Sequence, residues 1–148
     1  MFAKIHSGDE LIAIIIYGEF RKDGIEFFTP DTFSQQLAYM HRQAGYRIQP
    51  HIHNSINRQV MNTQEVLLVR RGRVRVDLYD NQRKYIESRI LKSGDVILLA
   101  TGGHGFEMLE DTEIIEVKQG PYAGENDKTR FDGIPDVAIK VVKSSNHE

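Results

Sequence analysis

The sequence predicts an all-β fold, and three features of its patterning carry that expectation. Apolar segments are short and rich in β-branched residues, several alternate with a period of two, and clusters of Gly, Asp, Asn and Ser separate them. In chain order, "LIAIIIYGEF" opens with a β-branched run from Leu11, and "RKDGIEFF" sets Asp23-Gly24 between apolar stretches as a hairpin turn would. "EVLLVRRGRVRVDLYD" places Gly72 between two further strands. In the second of these, Val74, Val76 and Leu78 take one face while Arg73, Arg75, Asp77 and Tyr79 take the other, the pattern of a half-buried strand. "KYIESRIL", "DVILLA" and "TEIIEVK" follow, spaced by "KSGD", "TGGHG" and "EDTE". Helix is expected only in "TPDTFSQQLAYMHRQ", with Asp31 or Thr32 as N-cap. After Pro135, alternation of Val137, Ile139 and Val141 predicts a last strand, paired either with the domain's own edge or with a second subunit. Many short strands with little helix describe a sandwich or barrel.

Composition narrows the function. A chain of 148 residues suits a single domain with a real core. Its 19 basic and 21 acidic residues nearly cancel, which leaves no broad cationic field for a phosphate backbone, so nucleic acid is not an expected partner. The arginines of "RRGRVRV" do not change this, because Arg73 and Arg75 alternate with apolar valines and form the outward, solvated or subunit-facing side of one strand. There is no cysteine, so any metal must sit on His, Asp or Glu. The longest apolar run, Leu11 to Tyr17, is too short to span a bilayer, and Asp9 and Glu10 precede it where a signal peptide would be positive. A soluble, cytoplasmic protein without a membrane partner is expected.

The histidines are the next signal. In "QPHIHN", His51 and His53 stand at i and i+2, which on a strand puts both imidazoles on one face, as a shared metal ion requires. Such a pair arises by chance in about one sequence in four of this composition, so its surroundings must decide. Gly45 precedes His51 by five intervening residues, Glu65 precedes Gly72 by six, and "GDVILLATGGHGFEM" brings His104 out of an apolar strand through a glycine pair.

On these motifs, from Gly45 to Met108, the chain resembles the cupin family. The spacing departs from the family pattern in the long "NSINRQVMNTQ" between His53 and Glu65, in Ala100 where a proline is usual, in His104 falling one residue early, and in Met108 where an asparagine is usual. The resemblance implies a single-domain cupin β-barrel of jelly-roll type over residues 1–131, with 132–148 as a strand-like tail. It implies His51, His53, Glu65 and His104 as ligands of one divalent transition metal, Zn, Fe, Mn, Ni or Cu. Glu107, three residues after His104, is a second carboxylate there: a ligand in place of Glu65, a general base, or a solvated strand-end residue.

"EVKQGPYAGENDKTRF" offers Lys118, Tyr122 and Arg130 either to an anionic ligand such as a nucleotide sugar at the barrel mouth or to a subunit interface. Its wording with "GGHGFEMLED" is similar to small cupins that accompany bacterial surface-polysaccharide enzymes. That resemblance implies an isomerase or epimerase acting on a sugar or nucleotide-linked sugar, working as a homodimer. An iron-dependent dioxygenase and a non-catalytic ligand-binding module are the alternatives. Sugar ketoisomerases of this fold carry a catalytic tyrosine on the strand before HxH. Tyr39 is the tyrosine available there, although segment alignment puts Met40 at its position.

Overall fold

The computed structural model describes residues 1–143, and the chain divides into two compact units, Met1–Phe20 with Asn62–Glu148 and, separately, Arg21–Met61. Residues 144–148, the end of the expected tail strand, lie outside the described residues. The expectation of an all-β fold holds: ten strands and two short 3-10 turns, with no α-helix among the described residues. Among the described residues no helix is long and apolar enough to cross a membrane.

The larger unit contains two sheets. One has the order β1 (Phe2–Ser7), β2 (Glu10–Ile16), β8 (Val96–Leu99), β5 (Glu65–Arg71), β10 (Glu113–Lys118); the other has β7 (Tyr85–Lys92), β6 (Arg73–Tyr79), β9 (Gly103–Met108). Strand neighbours are antiparallel throughout. A single apolar cluster joins the sheets, with Ala13, Ile15, Leu67, Val69, Ile97 and Leu99 from the first and Val74, Val76, Leu78 and Leu91 from the second. The predicted alternation of β6 therefore points its valines and Leu78 into this core.

Gly72 makes the corner between β5 and β6, which belong to different sheets. Its φ is +80°, and an added Cβ would lie 2.2 Å from the Asp111 carbonyl oxygen. Glycine is required there for both reasons, since an L side chain strains the left-handed region and this one would also collide.

The other face of β6 is not solvated as its residue types suggest. Asp77 and Tyr79 are buried because the tail crosses them. Phe131 packs edge-on to Tyr79 at 5.1 Å, and the Ile134 amide donates to the Tyr79 hydroxyl at 3.0 Å. Arg75, whose side chain is 15% exposed, meets Asp77, Glu107 and Asp136. Further along, the Lys140 amide donates to the Tyr85 hydroxyl at 2.9 Å. Ser88 donates to the Lys140 carbonyl and accepts from the Val142 amide, both at 2.9 Å. The tail strand foreseen in "DVAIKVVK" is thus reduced to a 3-10 turn at Asp136–Ala138 and one parallel bridge between Val141 and Ser88, and it uses the domain's own β7 edge.

In the smaller unit, β3 (Gly24–Phe27) pairs antiparallel with β4 (Ala38–His41). The expected helix over "TPDTFSQQLAYMHRQ" does not form. Gln36 instead donates to the carbonyls of Pro30 and Phe33, both at 2.9 Å, and Thr29 accepts from the Leu37 amide at 3.1 Å. Pro30 lacks an N–H, and Thr, Phe and Tyr favour extended chain, so local turn bonds win over a helix. The hairpin expected at Asp23-Gly24 is also absent, because β2 pairs with β1 and β8 while β3 pairs with β4. Residues 42–61 carry no strand, so the strand expected to bear His51 and His53 is missing.

Gly72→Ala is expected to cost about 3 kcal/mol, from left-handed strain plus overlap. Gly8→Ala, at φ +59° with nothing within 4 Å, should cost about 1 kcal/mol, strain alone. Urea midpoints of the two variants separate these contributions.

A second test concerns Asp95, which is 1% exposed and accepts the Gly18 amide at 2.7 Å and the Lys92 amide at 2.8 Å. Burial outweighs these bonds and lifts its carboxyl above the ordinary 3.8. A raised folded pKa gives stability that is complete below the unfolded value and lost as pH rises through the folded one. The stability of wild type relative to Asp95→Asn should therefore be level below pH 3.8 and decline above it; a difference that grows with pH would refute the assignment.

Candidate functional site

Strand register places the polar residues at one end of the core. Cross-strand partners share a face, and Glu65 is partnered by Leu99 on β8 and by Lys118 on β10, while His104 is partnered by Leu78 on β6. Glu65, Lys118 and His104 therefore extend the two core-facing surfaces where their apolar residues stop. They line a cleft of about 800 Å³ together with, among others, Tyr79, Arg83, Lys128, Arg130 and Phe131.

Within this lining, His104 Nε2 donates to Glu65 Oε2 at 3.2 Å, and Lys118 Nζ stands 3.8 Å from Glu65 Oε1. The Glu65 side chain is 17% exposed. The hydrogen bond from His104, and then the charges of His104, Lys118 and Lys128, hold its carboxyl below the usual glutamate value despite burial. Glu65 is thus a carboxylate near neutral pH. With Nε2–H committed to it, a neutral His104 carries its free lone pair on Nδ1. One base, one acid-capable ring and one ammonium are brought together.

The segment after β10 forms part of the wall. Thr63 donates to Asp127 at 2.8 Å and the Gln64 amide to the Gln119 side-chain oxygen at 3.1 Å. Asp127, Lys128, Thr129, Arg130 and Phe131 then line the cleft. Lys118 and Arg130 are accordingly where a ligand could meet them, and Arg130 also pairs with Glu125 at 2.6 Å. Tyr122 is 85% exposed and does not line the cleft.

Glu107 lies on the opposite face of β9 from His104 and pairs with Arg75 at 2.5 Å. The geometry gives it to Arg75, which also meets Asp77 and Asp136. Tyr39 sits on β4 of the smaller unit, where Glu26 is its cross-strand partner.

His51 and His53 belong to that unit too, with rings 5.2 Å apart and edge-on, and His51 Nδ1 bonds the Gln49 carbonyl at 3.0 Å. Of the four expected metal donors, His51 and His53 belong to the smaller unit and Glu65 and His104 to the larger. Among the described residues no group of three or more His, Asp or Glu stands together as a metal site.

Sequence reading missed Arg83 and Phe131. Phe131 touches where Gly103 has no side chain: a Cβ there would come within 2.8 Å of its ring. The glycine pair of "TGGHG" was the available signal. Compared with known proteins, the chain matches no protein-family model, no curated protein and no solved structure.

Proposed function

We propose that this is a cupin-type protein whose cleft binds a sugar or nucleotide-linked sugar and moves a proton on it, as an isomerase or epimerase does. The observation that supports this reading best is the Glu65–His104 pair with Lys118 beside it, inside a cleft walled by polar side chains. Proton transfer next to a sugar carbonyl needs a base for the carbon-bound proton and a cation or donor for the oxygen that becomes negative. His104 can take up and return the proton through the nitrogen not held by Glu65, whose carboxylate stabilises the imidazolium formed. Lys118 supplies positive charge for the oxyanion. By resemblance, the proposal extends to a homodimer and to a role in surface-polysaccharide synthesis.

Proton exchange tests the chemistry. Nucleotide-linked hexoses incubated with the protein in D₂O should acquire deuterium beside the carbonyl or at the epimerised carbon, read by NMR. Glu65→Gln should slow this by about 100-fold or more. Binding without exchange across such a panel would replace the enzyme with a ligand-binding module.

The resemblance adds one divalent transition metal on His51, His53, Glu65 and His104, imidazole and carboxylate donors that suit such an ion. No step above is routed through the ion. Protein purified without added metal is expected to contain near one equivalent, lost in His53→Ala and His104→Ala. Metal-free wild type that also fails reconstitution removes the ion from the proposal, and iron with oxygen uptake would favour a dioxygenase.

A further inference from the structure

Arg83 occupies a backbone conformation that suits glycine or asparagine. It sits in the turn between β6 and β7 with φ +64°, the only positive-φ residue other than glycine among the described residues. The turn does not need an arginine for its bonding. Asp80 accepts the amides of Gln82 and Lys84 at 2.9 Å, and the Arg83 amide reaches the Asp80 carbonyl at 2.9 Å, all of which a glycine would preserve. Strain kept in place at a cleft residue points to a use for its side chain.

That side chain is placed as a ligand-binding group would be. The guanidinium lies 5.7 Å above the Phe131 ring, and the ring is fixed by Tyr79 and by contact with Gly103. A planar cation on an aromatic platform keeps its N–H fork free for a planar or tetrahedral anion. Of the four cations lining the cleft, Lys118 and Arg130 meet carboxylates, whereas Arg83 and Lys128 make no ion pair among the described residues. Taking an unpaired cation in a cleft as a place for an external anion, we propose that Arg83, stacked on Phe131, anchors the phosphoryl group of the ligand, with Lys128 as a second cation on the same wall. This rests on the sugar-nucleotide reading and deepens it, since it assigns the diphosphate end of such a ligand to the β6–β7 turn and leaves the sugar for Glu65 and His104.

The test uses uridine diphosphate and inorganic pyrophosphate as probes, with N-acetylglucosamine as the neutral control, measured by calorimetry on the full chain. Arg83→Gly and Arg83→Asn remove the charge at a position both residues adopt readily, so the thermal midpoint should hold or rise. Binding of both phosphate probes should weaken about 10-fold or more, and Arg83→Lys should recover part of it. Equal affinity in wild type and both variants would overturn the proposal, as would wild type that binds neither probe. Weakened phosphate binding with no deuterium exchange in any sugar would keep the anchor and remove the isomerase reading. Exchange in sugars with no dependence on Arg83 would do the reverse.

Discussion

The period of two along β5 and β6 is the constraint on which the larger unit depends. Leu67 and Val69 on one strand, and Val74, Val76 and Leu78 on the other, must face each other to bury apolar surface between the two sheets. A shift of one residue would turn them away from the core and put Leu68 and charged Arg75 among their replacements. Once they are fixed, the pairing of β9 with β6 brings His104 within 3.2 Å of Glu65. The same register that builds the core carries its last polar residues to one end, where the apolar side chains stop. The acid–base pair is a consequence of how the core is terminated.

The tail supplies the second half of the architecture. β6 would be wetted on its outer face if its arginines and aspartate were surface residues, yet Asp77 is 8% exposed and Ser88, which donates to it at 2.5 Å, is fully buried. A buried carboxylate needs partners, and Arg75 gives it two bonds, at 2.9 and 3.1 Å. Covering this network with residues 131–142 also brings Phe131 onto Gly103 and so forms one wall of the cleft. Sheet, polar network and cleft wall are therefore one mechanical assembly.

How much of this could be read from residues alone depends on range. The strands were legible because alternation is local: "RVRVDLY" specifies which side chains share a face, and that face is the core. Glu65 and His104 were singled out through the motif spacing, but as two of four donors to one metal ion; their contact with each other at 3.2 Å carried no signal of its own. The covering of the outer face of β6 was not legible, because Phe131 and Ile134, which meet Tyr79, and Asp136, which meets Arg75, lie more than fifty residues away and carry no periodic signal of their own. Glu107 illustrates the limit within one strand. Its distance from His104 in sequence suggested a shared site, but an odd separation on an extended strand sends the two side chains to opposite faces.

The two ends of the cleft differ in how they are held, and that difference bears on what each can do. Glu65, Lys118 and His104 stand on paired strands whose register is set by the core, so their geometry is preorganised before any ligand arrives. Arg83 stands on the β6–β7 turn, and Lys128 and Arg130 on the segment after β10, all outside the paired strands. Elements of that kind open at lower free energy than core strands and can adjust to ligands of different length. A rigid end beside an adaptable cationic end fits the proposed ligand, a sugar carried on a large charged handle.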